Sequence, residues 1–258
     1  MDPKTVRGLN ALNRRFYDEQ AASFSETRRD PWPGWQRLPA LLRDRGGPLR
    51  VLDVGCGNGR LGDFLCRNLA EARSTLTYVG IDASEALLAE VRARTLPCAA
   101  VETLSRDVLA GDLADALADR RFSLIALFGL IHHIPGEAHR RALLRTLAGC
   151  LEPGGWLVFA VWRFEAFERF RRKVRPWPAY NATAQEPIDE AQLEPGDHLL
   201  PWGPEGTALR YCHFVDAAES ERLVAATGLA VVDRYAADGR EGDLNRYFLL
   251  RMGGGSPG

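Results

Sequence analysis

The feature that most constrains this chain is a short apolar run that ends in three closely spaced glycines. Residues 51–59 have the sequence Val-Leu-Asp-Val-Gly-Cys-Gly-Asn-Gly, and Leu61, Leu65 and Leu69 follow at helical spacing. This pattern predicts a strand, a tight turn and a helix in direct succession. Because glycine has no Cβ atom, such a turn can bend sharply and bring its backbone close to a ligand.

Strands and helices continue to alternate along the chain. The later predicted strands are 77–81, 99–106, 122–128, 156–161, 229–235 and 245–251, of which 99–106 is weakly marked. Residues 216–227 form a predicted helix with Asp216 as its N-cap and Gly228 as its stop. Strands that alternate with helices predict an α/β fold with a largely parallel sheet covered on both faces.

Composition and charge exclude several classes of protein. The net charge of −1 argues against non-specific coating of nucleic acid. The longest apolar run, 124–131, is about half as long as a bilayer-spanning helix needs, and the N-terminus lacks the pattern of a signal peptide. The five cysteines include no Cys-x-x-Cys pair, so we expect reduced thiols in a cytoplasmic protein, with neither a metal site nor a disulfide framework.

Acidic residues stand near the carboxyl ends of three successive predicted strands. Asp53 precedes the glycine turn, where it would repel a pyrophosphate and suits a ligand with a positive end. Asp82 ends the second strand and can accept both hydroxyls of a ribose. Asp107 can accept from an adenine amino group, although Asp112 competes for this role. Each acid alone fits a helix cap or a solvated loop equally well, but the three together predict a nucleoside site.

These residues and further motifs resemble those of the class I S-adenosylmethionine-dependent methyltransferases. The similarity covers roughly residues 48–162, and its motifs are 53–59, Asp82, 122–125, 131–134 and 151–155. The resemblance implies a Rossmann-like fold with a seven-stranded, mostly parallel sheet whose last strand is antiparallel. It also implies that S-adenosylmethionine is the cofactor and lies across the carboxyl edge of the sheet.

The predicted cofactor site and domain organisation follow from these motifs. The predicted cofactor-binding residues are Asp53, Gly55, Cys56, Gly57, Gly59, Asp82, Ala83, Asp107, Val108 and Phe128. We expect Asp53 and the glycines at the methionine end, Asp82 at the ribose, Asp107 at the adenine, and Phe128 with Leu130 at the floor. The predicted segments are an N-terminal helical cap at 1–45, the cofactor-binding core at 46–162, an insertion or lid at 163–215, the C-terminal part of the core at 216–252 and a disordered tail at 253–258.

Two flanking segments bear on the methyl acceptor. Residues 24–33, and residues 195–202 continuing to 210–214, resemble segments of the tRNA methyltransferases that esterify a carboxymethyl group on wobble uridine. The resemblance implicates Arg28 and His132 or His133 in catalysis. A carboxylate acceptor needs no base, and an arginine can hold it through two parallel hydrogen bonds. A phenol or alcohol acceptor would instead use a histidine as general base.

Several alternatives for the acceptor and the partners stay open. Residues 163–175 carry six basic residues against two acidic ones, which predicts an amphipathic helix that either grips tRNA phosphates or forms a solvated lid. The aromatic residues Trp177, Tyr180 and Trp202 could stack on a base. The acceptor is tRNA or a small metabolite, and the resembled tRNA enzymes work with a small activator protein that nothing in this chain indicates. Two further hypotheses are a non-catalytic cofactor-binding subunit and a nucleotide-sugar or nicotinamide enzyme. Asp53 and Arg60 disfavour the second, because Asp53 would repel a pyrophosphate and a dinucleotide fingerprint has a small residue at position 60.

Overall fold

The computed structural model describes residues 1–27, 30–43, 45, 47–69, 75–94, 96, 100–203 and 206–253. The helices are α1 (Pro3–Glu26), α2 (Leu38–Arg43), α3 (Arg60–Asn68), α4 (Glu85–Ala93), α5 (Leu113–Leu117), α6 (Glu137–Ala148), α7 (Glu168–Arg171), α8 (Trp177–Asn181) and α9 (Ala217–Thr227). The strands are β1 (Leu49–Val54), β2 (Leu76–Asp82), β3 (Ala100–Ser105), β4 (Phe122–Leu127), β5 (Leu151–Trp162), β6 (Asp197–Trp202), β7 (Ala208–His213), β8 (Ala230–Ala237) and β9 (Asn245–Arg251).

A seven-stranded sheet organises the molecule. Its strand order is β3-β2-β1-β4-β5-β9-β8, and the first five strands of this order run parallel. Strand β9 is antiparallel to both of its neighbours. The predicted Rossmann-like fold, with a mostly parallel sheet and an antiparallel last strand, is therefore confirmed. The parallel strands β1 to β4 end at one edge, which brings together the loops that follow them.

Both faces of the sheet are covered by apolar side chains. Leu52 and Ile125 belong to the core on one face, whereas Val51 and Leu124 belong to the core on the other. All four are fully buried, and each contributes about 1.5–3 kcal/mol to stability through burial. The strands that carry the glycine turn are thus held from both sides, which fixes the edge where the loops meet.

The long helix α1 packs against a separate β6–β7 hairpin. Leu9, Leu12 and Tyr211 share an apolar cluster with residues of the 177–199 region. Asn13 joins the two elements directly, because its Oδ1 accepts from the backbone N–H of Tyr211 at 2.9 Å. The N-terminal segment and the hairpin therefore form one packed unit, although they lie about 200 residues apart in the sequence.

The predicted amphipathic helix over 163–175 is wrong. The chain forms a short 3₁₀ turn at Phe164–Ala166, becomes extended at Phe167 with φ of −113°, and resumes as α7 for four residues. The break lets Phe164 insert into the cluster of Leu200 and Cys212, where it is fully buried. Beyond α7, Arg175 bridges to β6, and the following proline disfavours helical backbone there.

Two further expectations concern the cysteines and the membrane. Cys56, Cys150 and Cys212 are free and buried, but Cys66 is disulfide-bonded. The expectation of reduced thiols is therefore wrong for Cys66, since spacing along the chain does not report proximity in the fold. Within the described ranges, no helix has the length and apolarity needed to cross a bilayer. Of the predicted disordered tail, residues 254–258 lie outside the described residues.

Candidate functional site

The glycine turn after β1 has the geometry that only glycine tolerates well. Gly55, Gly57 and Gly59 have φ values of 75°, 53° and 76°. The backbone N–H groups of Gly55 and Cys56 both donate to the Ile81 carbonyl, at 2.8 and 3.0 Å. A Cβ atom added at Gly55 would lie 3.0 Å from the Leu130 side chain. Gly55 and Gly57 also line the cavity at the carboxyl edge of the sheet.

Asp53 is a buried acid directly beneath this turn. Its side chain is almost inaccessible to solvent, and its Oδ2 accepts from the Tyr78 hydroxyl at 2.7 Å. Burial raises the pKa of Asp53 to about 7, against the opposing hydrogen bond from Tyr78, and the charge of Asp82 adds to the rise. Ionisation of this buried carboxyl is costly. A cationic ligand in the cavity would offset that cost with its positive charge, so the site favours such a ligand.

Asp82 occupies the end of β2, where backbone groups hold its two oxygens. Oδ2 accepts from Gly57 N–H at 2.8 Å, and Oδ1 accepts from Ser84 N–H at 2.9 Å. Burial raises the pKa of Asp82, while these backbone hydrogen bonds oppose the rise. The carboxylate is thus fixed in orientation, and each oxygen keeps a lone pair for a ligand hydroxyl.

The structure places Asp107 and Asp112 differently with respect to the other two acids. Asp107 lines the cavity and accepts from Asn10 Nδ2 at 2.6 Å and from Leu109 N–H at 2.9 Å. Asp112 is half exposed, pairs with Arg106 at 3.4 Å, and is absent from the cavity wall. Asp107 is therefore the acid that the structure brings to the other two.

A cavity of about 440 Å³ lies along this edge. It is lined by nine of the ten predicted cofactor residues, namely Asp53, Gly55, Cys56, Gly57, Asp82, Ala83, Asp107, Val108 and Phe128, and also by Leu130. Gly59 is not part of the wall. It precedes α3 in the left-handed conformation and packs against Val91, so it contributes to the shape of the turn without contacting the cavity.

His132 and His133 both line the same cavity and are nearly buried. The Nδ1 atom of His133 lies 2.8 Å from the Tyr211 carbonyl, which can only accept, so Nδ1 carries the proton. In the neutral ring, Nε2 then accepts from the Tyr17 hydroxyl at 2.8 Å. The sequence did not single out Tyr17; its one signal was its i, i+4 relation to Asn13 beside the apolar stripe of α1.

A cation surrounded by aromatic rings forms a second part of the wall. The guanidinium carbon of Arg210 lies 5.5 Å from the ring centre of Phe16, 5.4 Å from that of Trp162 and 5.0 Å from that of Trp202. Of the three aromatic residues proposed to stack on a base, Trp202 lines the cavity, whereas Trp177 and Tyr180 pack against α1 and the hairpin. Arg28 lies outside the described residues, so its predicted role stays a prediction.

A buried ionic network anchors the hairpin. Arg140 is fully buried and donates to Glu219 and Glu194, both at 2.6 Å. Its Nη1 also donates to a backbone carbonyl of the loop after His133, at 2.8 Å. His213 contacts Asp197 and Glu219, both at 2.7 Å. Burial lowers the pKa of His213, but these two carboxylates outweigh burial and raise it overall.

Potential metal ligands occur in two groups among the described residues. One consists of His132, His133 and Cys212, and the other of Glu194, Asp197 and His213. In the first, the Tyr211 carbonyl and the Tyr17 hydroxyl already engage His133. In the second, Arg140 and Tyr211 donate to the carboxylates. Protein groups therefore already engage His133, Glu194 and Asp197, and the prediction of no metal stays a prediction.

The fold and the cavity define an α/β enzyme that binds a nucleoside with a cationic end at the carboxyl edge of its sheet. A family model described as a methyltransferase domain matches residues 23–234, and the chain belongs to this family. It is an S-adenosylmethionine-dependent methyltransferase. The buried Asp53 and the glycine turn that lines the cavity fit that cofactor, whose sulfonium and ammonium groups are both cationic.

Individual proteins agree with this assignment. The chain is 30% identical over 195 residues to the tRNA (carboxymethyluridine(34)-5-O)-methyltransferase alkbh8 of Xenopus tropicalis, covering 73% of this chain but only 28% of that relative. It is 24% identical over 239 residues to a ubiquinone biosynthesis O-methyltransferase of Idiomarina loihiensis, covering 89% of this chain and 80% of the relative.

Among solved structures, the fold is similar to that of the 1,6-didemethyltoxoflavin-N1-methyltransferase of Burkholderia thailandensis, determined with bound 1,6-didemethyltoxoflavin and S-adenosylhomocysteine. The TM-score is 0.58 at 16% identity, and the match covers 96% of this chain and 90% of that chain. At this identity the likeness concerns the fold.

Proposed function

We propose that this methyltransferase acts on an oxygen nucleophile, and that its acceptor is the carboxylate of a carboxymethyl-modified wobble uridine in tRNA. The observation that carries this proposal is the wall of Trp162, Trp202 and Arg210, which offers ring faces for a base and a cation for a carboxylate. The similarity to the Xenopus tropicalis enzyme supports the same acceptor. A cytoplasmic location is part of this proposal.

The predicted cofactor residues take these roles in the proposal. Asp53 and the glycine turn hold the cationic methionine end, and Asp82 accepts the ribose hydroxyls with the lone pairs that its backbone partners leave. Asp107 accepts from the adenine amino group beside Asn10. When bound, S-adenosylmethionine supplies a methyl group on a positively charged sulfur, and the carbon–sulfur bond breaks with its electron pair left on sulfur.

The chain's own contribution to the reaction is alignment and exclusion of water. A carboxylate is already ionised at neutral pH, so no protein group needs to remove a proton. His133 is fixed by Tyr211 and Tyr17 and acts in this proposal as a positioning residue at the end of β4. Helix α1 and the β6–β7 hairpin cover the acceptor side. Arg28 is proposed to assist in holding the acceptor.

The second candidate acceptor is a small metabolite with a hydroxyl group. The Tyr17–His133 pair favours it, because Tyr17 can take a proton from an acceptor hydroxyl while passing its own to His133 Nε2. The similarity to the ubiquinone biosynthesis O-methyltransferase supports this candidate.

A methyl-transfer assay separates the two candidates. Full-length protein and methyl-labelled S-adenosylmethionine are incubated with tRNA bearing 5-carboxymethyluridine at the wobble position, and the digest is searched for the methyl ester. Unmodified tRNA of the same sequence is the matched substrate control, and Asp82→Ala is the control variant. The same protein is tested on a panel of phenolic metabolites. Labelled phenolic ethers, with no ester on tRNA, would reject the tRNA proposal in favour of the second candidate.

A further inference from the structure

Arg210 is a buried cation without an anion among the described residues. It lies on β7 and is only 6% exposed, and its Nε atom is buried without any hydrogen-bond partner. No ion pair of the described residues includes Arg210. Its close neighbours are instead the rings of Phe16, Trp162 and Trp202.

Arg140 shows how the same protein treats a buried arginine with a structural role. Arg140 donates to two carboxylates and a backbone carbonyl, so its Nε, Nη1 and Nη2 atoms all have acceptors. Ring faces interact with a guanidinium electrostatically, but they do not accept its in-plane N–H bonds as a carboxylate does. Burial of a guanidinium with unsatisfied donors is costly, so the fold retains Arg210 at an energetic disadvantage.

The position of Arg210 connects it to the acceptor side of the site. It lines the same cavity as His132 and His133. The Trp162 ring lies 5.3 Å from the His132 ring and 5.4 Å from the Arg210 guanidinium carbon, so a single ring separates the two. A planar anion that occupied this part of the cavity would meet the Arg210 guanidinium beside the ring faces of Trp162 and Trp202.

We propose that Arg210 binds a carboxylate of the methyl acceptor and determines the enzyme's selectivity for anionic over neutral acceptors. This inference rests on the proposed function, because it assigns the acceptor half of the same site. Transfer would form a bond between a carboxylate oxygen and the methyl carbon as the methyl–sulfur bond breaks, with its electron pair left on sulfur. The acceptor would become a neutral ester and the donor would leave as S-adenosylhomocysteine. The ester cannot form the ion pair, so Arg210 binds the acceptor more tightly than the product and favours product release.

The first test measures selectivity between an acid and its neutral isostere. Binding of 5-carboxymethyluridine and 5-carbamoylmethyluridine, and of phenylacetate and phenylacetamide, is measured by calorimetry on full-length protein saturated with S-adenosylhomocysteine. We expect the wild type to prefer at least one acid over its amide by roughly tenfold or more, and Arg210→Gln to lose this preference. The exposed Arg175, on the segment that bridges to β6, provides the matched control, and Arg175→Gln is expected to keep the preference.

The second test excludes a purely structural role. Because Arg210 has no anion to lose, Arg210→Met is expected to keep or raise the melting temperature of the ligand-free protein. Arg140→Met strands buried carboxylates and is expected to lower it by roughly 10 °C. Arg210→Lys keeps the charge but not the planar fork, so it is expected to restore part of the acid preference.

Each outcome decides between the proposals. No acid preference in the wild type, an unchanged preference in Arg210→Gln, or a fall in melting temperature for Arg210→Met as large as that for Arg140→Met overturns the assignment of Arg210. An acid preference that depends on Arg210, with no ester formed on tRNA, keeps this inference and rejects tRNA in favour of a smaller carboxylic acid. Ester formed on tRNA equally by wild type and Arg210→Gln keeps the proposed function and rejects the inference.

Discussion

Replacing Asp53 by asparagine should make the ligand-free protein more stable while it weakens cofactor binding. The ordinary pKa of 3.8 rises to about 7 in the folded protein, chiefly because the carboxyl is buried. Below pH 3.8 the carboxyl is protonated in both the folded and unfolded states, so it costs nothing. Between the two values only the folded state holds the proton, and the free energy of unfolding falls by about 1.4 kcal/mol per pH unit. Above pH 7 the cost is constant at about 4 kcal/mol.

Asparagine removes this cost and keeps the acceptor that the Tyr78 hydroxyl uses. It adds a buried amide N–H₂ group, which costs about 1–3 kcal/mol if it finds no acceptor. We therefore expect Asp53→Asn to gain about 2 kcal/mol at pH 8, or roughly 5 °C in melting temperature, and almost nothing at pH 5. The cofactor loses a charge partner for its cationic end, so its affinity should fall by roughly a hundredfold.

Urea unfolding followed by tryptophan fluorescence at pH 5, 6, 7 and 8 measures the stability difference. Calorimetry with S-adenosylmethionine at pH 8 measures the affinity. Asp112→Asn is the matched control, since Asp112 is half exposed and lies outside the cavity; it should leave both quantities nearly unchanged. The reasoning is refuted if Asp53→Asn is less stable than the wild type at pH 8, or if the stability difference does not change with pH.

Four other substitutions test separate parts of the structure. Arg140→Met should lower the free energy of unfolding in urea by about 3–5 kcal/mol, because it leaves the carboxylates of Glu194 and Glu219 without their cation. Glu194→Gln should lower it less. Equal and small effects of the two substitutions would contradict the proposed network. Gly55→Ala should weaken S-adenosylmethionine binding and cost about 1–3 kcal/mol, because φ is 75° and the new Cβ would meet Leu130 at 3.0 Å; unchanged calorimetry and melting temperature would contradict this. Tyr17→Phe should slow transfer to hydroxyl acceptors by roughly tenfold or more and leave transfer to carboxylates unchanged in a labelled-methyl assay, and equal loss on both would reject the proton relay.

The proposed cofactor half of the site was predictable because its residues follow one another in a repeated pattern. Asp53 and Asp82 end adjacent parallel strands, and parallel pairing places such ends at the same edge without further information. Asp107 was harder to choose over Asp112, because the third strand is weakly marked and the deciding contact comes from Asn10 on α1. That contact joins residues 97 positions apart, which no local pattern reports.

The acceptor half was less predictable for the same physical reason. Tyr17 and Arg210 reach the cavity from α1 and from the β6–β7 hairpin, which the sequence presents only as flanks of the core. Arg210 belongs to the segment 210–214, which the sequence resemblance includes. Its significance is that it is buried without an anionic partner among the described residues, and spacing along the chain does not reveal burial or partners. The prediction of a helix at 163–175 was wrong because the same apolar periodicity also fits a bent segment. In the structure the bend buries Phe164 against Leu200 and Cys212.

The two halves of the site depend on different parts of the fold for their stability. The cofactor half is built on strands buried from both faces, so its geometry depends on the central sheet. The acceptor half depends on how the β6–β7 hairpin is held. Arg140 links three elements here: it forms an ion pair with Glu219 of α9, donates to a backbone carbonyl of the loop after His133, and contacts His213 of the hairpin. Weakening this network should therefore displace Arg210 and Tyr211 relative to His133 before it disturbs Asp53. A substitution such as Glu194→Gln should accordingly raise the KM for the acceptor more than the dissociation constant of S-adenosylmethionine.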